Sequence, residues 1–139
     1  MIGFLFFMLF LAGFALVALQ GRQQAGQQLG EGAARWVGTD WRPVNADSEV
    51  SVRFDADGSV SGFGGCNEFF GAIERTDQTL AVGPLGTTRR ACAEDVMARE
   101  RSFLKALESL VAIDREDNAL LLRGEDGDLL LRLEPVPAT

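Results

Sequence analysis

The chain has 139 residues, with 13 Lys and Arg against 20 Asp and Glu, a formal net charge of −7 and no histidine. Without an imidazole there is no Ser-His-Asp or Cys-His catalysis, no imidazole ligation of haem and none of the usual zinc sites, and two cysteines do not fill a four-thiolate metal site. The acidic balance, whose longest basic run is Arg89-Arg90, offers no footprint for a phosphate backbone, so nucleic acid is not an expected partner.

Residues 2–19 are apolar or glycine throughout, eighteen in a row. At about 1.5 Å rise per helical residue they reach about 27 Å, close to the hydrocarbon thickness of a bilayer. The sequence therefore predicts an N-terminal transmembrane helix over residues 1–19. A cleavable signal normally has a basic n-region and an Ala-x-Ala-like exit. Here the n-region carries no charge and the exit reads Ala18-Leu19-Gln20-Gly21, which favours an uncleaved anchor over a removed signal, with a buried core helix as a third reading. No cysteine follows the apolar run, so lipoprotein acylation is not expected. Arg22 and Arg35 argue for an inside C-terminus, whereas the cysteines discussed below argue for an outside one.

Residues 20–35 hold five glutamines and four glycines with no hydrophobic period, a composition unable to bury a face and so a predicted solvated spacer. Period-two runs begin beyond Trp36. Residues 50–54 alternate apolar and polar, Asp55-Ala56-Asp57-Gly58 supplies turn chemistry, and residues 59–61 resume extension, which predicts a hairpin. Residues 71–75 and 79–82 predict a second hairpin around Thr76-Asp77-Gln78. Residues 119–123 and 129–133 flank Glu125-Asp126-Gly127-Asp128 and predict a third.

One helix is predicted over residues 93–111. Val96, Phe103, Leu104, Leu107, Leu110 and Val111 form a stripe at the helical period, Glu94 and Asp95 occupy the first turn, and Arg99, Arg101, Lys105 and Glu108 face solvent. The expected fold class is α+β: the transmembrane helix, then a mainly antiparallel, partly barrel-like β-sheet packed on one α-helix. The domain is expected over residues 36–136.

Candidate chemistry is sparse. Asp55-Ala56-Asp57-Gly58 is superficially a calcium loop, but the twelfth position, where a bidentate Glu belongs, is Cys66, so a plain turn is expected. Gly62-Phe63-Gly64-Gly65 lacks the Lys-Ser/Thr of a phosphate loop and is read as tight bends. Cys66 and Cys92 have no histidine to deprotonate them, so catalysis is not expected. Two readings stay open for the pair: a structural disulfide, which implies an oxidising compartment, or two buried free thiols. No cofactor and no metal site is expected.

Gly38-Thr39-Asp40-Trp41, then Asp57-Gly58-Ser59-Val60-Ser61-Gly62, Gly65-Cys66-Asn67-Glu68-Phe69-Phe70-Gly71, Thr88-Arg89-Arg90-Ala91-Cys92 and Glu100-x-x-Phe103-Leu104-x-x-Leu107 follow one another along the chain. In that order they resemble the META domain of HslJ-type heat-shock proteins, from about Trp36 to Leu133. The resemblance implies a small α+β fold with one helix, a bacterial envelope location, an association with stress tolerance and no established enzymatic activity. Its motif positions map onto Gly65, Cys66, Asn67, Gly71, Thr88, Arg89 and Cys92. The chain departs from the pattern in having no lipobox and in carrying Glu68 after the Asn.

The expected function is a non-catalytic module tethered in the bacterial inner membrane by residues 1–19. Its domain is expected to be periplasmic, binding or supporting envelope proteins. The alternative is a single-helix accessory subunit of a larger integral membrane complex, respiratory or photosynthetic, with Gly3, Ala12, Gly13, Ala15 and Ala18 permitting close helix contact.

Overall fold

The computed structural model describes residues 36–47 and 49–137. The predicted anchor over 1–19 and the spacer over 20–35 lie outside the described residues. Among the described residues no helix is long and apolar enough to cross a membrane.

The elements in chain order are β1 (Asp40–Pro43), β2 (Ser51–Phe54), β3 (Ser59–Phe63), β4 (Glu68–Thr76), β5 (Thr79–Val82), β6 (Gly86–Thr87), α1 (Glu94–Glu108), β7 (Ala112–Glu116), β8 (Ala119–Arg123) and β9 (Leu129–Pro135). The strands build an antiparallel sheet in the order β5-β4-β3-β2-β1-β9-β8-β7, with the short β6 paired to β4. The first five strands are a meander. β1 then pairs with β9 on its other side, Trp41 opposite Pro135 and Pro43 opposite Leu133, which joins the meander to the C-terminal strands. At the far ends, Leu80 N–H donates to Val111 O at 2.8 Å, but no ladder forms between β5 and β7. The sheet curls without closing, so the partly barrel-like expectation reduces to an open, mainly antiparallel sheet with one helix.

The three hairpins form where turn chemistry marks them. Between β2 and β3, Gly58 takes φ +85°, and Asp57 Oδ1 accepts from both Ser59 N–H at 2.9 Å and Ser59 Oγ at 2.6 Å. Those bonds hold the Asp57 carboxyl below its usual range, so this aspartate closes its own turn, as expected of a plain turn. Asp77 and Asp117 adopt φ of 54° and 53° in the tight connections β4–β5 and β7–β8, a region aspartate tolerates better than most residues.

Period-two alternation sends Val52, Phe54, Val60, Phe69, Leu120, Leu122 and Leu133 into the core, where Trp41 joins them and Phe103 and Leu107 of α1 pack on top. Phe69 and Phe103 meet edge to face with centroids 5.8 Å apart. β8 is buried on both faces: Ala119 and Leu121 are also covered, with Asp114 and Arg132 as the register neighbours of Leu121. Ion pairs cross this outer surface, Arg132–Glu116 at 3.1 Å and Arg123–Asp114 at 2.7 Å. Leu107 is fully buried, so Leu107→Ala is expected to cost about 2–5 kcal/mol, read as a lowered denaturant midpoint at unchanged slope.

Most boundaries agree with expectation to within two residues, and two differ by three. α1 stops at Glu108 instead of Val111, because Leu110 N–H turns back to Leu107 O at 3.2 Å while Val111 N–H donates to Arg123 O at 2.9 Å and so joins the sheet. Leu110 is buried nonetheless. β4 begins at Glu68 instead of Gly71, since its first residues pair with β3 and with β6.

Candidate functional site

The β3–β4 connection, the segment before α1 and one turn of α1 converge on a buried polar cluster. Gly65, at φ +117°, adopts a backbone conformation that L side chains rarely take and turns the chain so that two successive amides point at the helix. Glu100 answers them from α1. Its Oε2 accepts from Cys66 N–H at 2.8 Å and Asn67 N–H at 2.6 Å, and its Oε1 accepts from Asn67 Nδ2 at 2.9 Å. The side chain fits because residue 64 is glycine: a Cβ there would stand 2.7 Å from Glu100 Cγ and 2.9 Å from Oε2.

Asn67 is the hub. Nδ2 also donates to Arg90 O at 3.3 Å, while Oδ1 accepts from Arg90 N–H at 2.6 Å and from Thr88 Oγ1 at 3.0 Å. Both donors and both lone pairs of the amide are thereby used. Thr88 Oγ1 in turn accepts from Glu68 N–H at 3.1 Å. The disulfide Cys66–Cys92, with Cα atoms 6.0 Å apart, ties the same two segments covalently. This decides between the two readings of the cysteines. Cys66 is 1% exposed, whereas Cys92 lies at the surface.

Burial, the largest influence on the Glu100 carboxyl, works to raise it, but the hydrogen bonds from the Asn67 side chain and from the Asn67 and Cys66 amides together outweigh burial and hold it below the usual range. A carboxylate depressed in the folded state contributes stability that is present above its unfolded value and lost as pH falls through the folded one. Unfolding midpoints measured from neutral pH down are therefore expected to drop below about pH 4.5, the ordinary glutamate value. The drop should be shallower in Glu100→Gln. An identical acid profile in the variant would contradict this assignment.

Of the residues singled out from sequence, Gly65, Cys66, Asn67, Thr88 and Cys92 meet here. Gly71 and Arg89 do not join the cluster. Gly71 sits further along β4, where an added Cβ would meet Leu85 Cδ2 at 2.8 Å; Arg89 is exposed, and it is the backbone of its neighbour Arg90 that enters the network. Glu100, seen in the sequence only as a motif position, is the central acceptor. Among the described residues no buried side-chain N or O lacks a partner and no three Cys, Asp or Glu side chains converge as a metal set. Beside the cluster an open groove of about 530 Å³ runs between α1 and the β1–β2 loop, lined by Val50, Gly64, Gly65, Val96, Phe103 and Leu131.

A protein-family model for the META domain matches residues 27–137, most of the chain. The chain belongs to the META domain family. A comparison with curated proteins finds no match. Solved structures share the fold. One is an NMR structure of a protein from Burkholderia xenovorans, at 23% identity and TM-score 0.55, covering 80% of this chain and 86% of that one. A second is a DUF4847 family protein from Bacteroides vulgatus, at 18% identity and TM-score 0.50, covering 66% and 62%. A third, also solved by NMR, aligns at 22% identity and TM-score 0.52 over 69% of this chain and 87% of its own. In META terms, the Cys-Asn motif and the Thr-Arg-x-x-Cys motif of this chain are two halves of one hydrogen-bonded and disulfide-linked unit.

Proposed function

We propose that this META domain is a non-catalytic binding module of the bacterial envelope, tethered by residues 1–19 to the inner membrane with its domain in the periplasm, where it binds or supports envelope proteins. The observation that carries the reading is the Cys66–Cys92 disulfide, because such bonds persist in oxidising compartments and are rare in the cytosol. The uncharged run over residues 2–19 supplies a tether of spanning length. The non-catalytic part rests on the polar cluster: buried Glu100 accepts from three donors, and the Asn67 amide spends both its donors and both its lone pairs on Glu100, the Arg90 backbone and Thr88 Oγ1, which argues against a role for either with a substrate. The groove beside them is mainly apolar, and its charged members Arg99 and Asp47 face each other at 3.5 Å.

Spheroplast proteolysis of the full chain, combined with alkaline extraction of membranes, tests the reading. Retention in the membrane with the domain cleaved from outside is the expected result. A mature soluble chain beginning near Gly21 removes the tether, and a domain protected from external protease removes the periplasmic placement. Purification in mild detergent separates the module from the accessory-subunit alternative: stable co-migration with a large membrane complex favours the subunit.

A further inference from the structure

We propose that Cys66–Cys92 is a reversible thiol–disulfide exchange site, attacked at Cys92 by small thiols of the glutathione class and re-closed on a template held by Asn67. Two observations carry this. First, the two residues differ in exposure: Cys92 is exposed and Cys66 is 1% exposed, and exchange requires a thiolate to reach an accessible sulfur. Second, the segments bearing the two cysteines are joined by hydrogen bonds as well as by the disulfide. Cys66 and Asn67 N–H are fixed on Glu100, and the Asn67 amide grips Arg90 through both its N–H and its C=O, at 2.6 and 3.3 Å.

The step balances as follows. An external thiolate forms a bond to Cys92 Sγ, the Cys66–Cys92 bond breaks, and the electron pair leaves on Cys66 Sγ, which takes up a proton. A second external thiol attacks the mixed disulfide at the external sulfur, releasing the oxidised small molecule and the Cys92 thiol. In reverse, Cys66 attacks the mixed disulfide at Cys92 and expels the small thiol. Asn67 is a positioning residue: by keeping Arg90, two residues from Cys92, docked beside Cys66, it raises the effective concentration of one sulfur at the other.

The test equilibrates the full chain in glutathione buffers of graded redox ratio, followed by acid quenching and mass mapping. Glutathione should appear on Cys92 and not on Cys66, and should accumulate stably on Cys92 in Cys66→Ser. In Asn67→Ala, or in the milder Thr88→Ala should the first fail to fold, the ratio at which half the protein is oxidised should shift at least tenfold toward oxidised glutathione, with Thr88→Ser restoring the wild-type ratio. Glutathione mapping to Cys66, or an unshifted half-point in folded Asn67 and Thr88 variants, overturns the proposal.

Discussion

Glu100→Ala is expected to destabilise the domain by about 3–5 kcal/mol, because it strips the acceptor from three donors at once, each charge-assisted and each costing about 1–3 kcal/mol when left unpaired. The total falls toward the lower end of the sum since water can enter beside the shortened side chain. Against a typical domain stability of about 5–15 kcal/mol this is a large loss. Glu100→Gln should be milder, at about 1–3 kcal/mol. Its carbonyl oxygen can occupy the Oε2 position and keep the Cys66 and Asn67 amides, but its NH₂ then opposes Asn67 Nδ2. Asn67 has no escape by flipping, since Oδ1 is already committed to Arg90 N–H and Thr88 Oγ1. Chemical denaturation checks the ordering; alanine and glutamine variants both within about 0.5 kcal/mol of wild type would deny that the buried network supports the fold.

Cys92→Ala should lower stability by about 3–4 kcal/mol in the chain-entropy model, the value for a loop of a few tens of residues, the two cysteines being 26 apart. This position isolates the cross-link. Cys92 is exposed, so truncation opens no cavity, while the orphaned Cys66 stays in its buried site as a small apolar side chain. Thiol counting on unfolded, unreduced wild type should return zero, and a loss below about 1 kcal/mol in the variant would show that the covalent bond adds little restraint to the unfolded chain.

Much of the framework was legible because its signals are local. The three hairpins announce themselves through Asp and Gly at turns whose backbone needs them, as at Gly58 and Gly127, and the helix through a stripe that Phe103 and Leu107 realise in the core. β1, β6 and β7 carry no such local signal. β6 is two residues long, and β7 runs Ala112-Ile113-Asp114-Arg115-Glu116, too charged to show a buried face in the sequence, because it is held by pairing with β8 and by the ion pairs of Asp114 and Glu116, with Ile113 alone packed against the core. The polar cluster was half visible. Positions 96, 100, 103 and 107 share one helix face, so Glu100 interrupts the apolar stripe, and a carboxylate there implies a buried partner. That the partner is Asn67, 33 residues away, and that Asn67 reaches on to Arg90, depends on tertiary placement that no local pattern encodes.

The junction between β1 and β9 has a kinetic consequence. Arg42 and Glu134, 92 positions apart, are joined across it, and this pairing links the meander to β8 and β7. Non-local closure of that kind is slow and arrives late on a folding route. A nascent chain can assemble β1 through β5 as soon as they emerge, yet until β9 follows, both β1 and β8 present unsatisfied edges. The meander must wait with its flank open, and the interval before β9 docks is when this protein is most exposed to mispairing, to proteases and to capture by a chaperone.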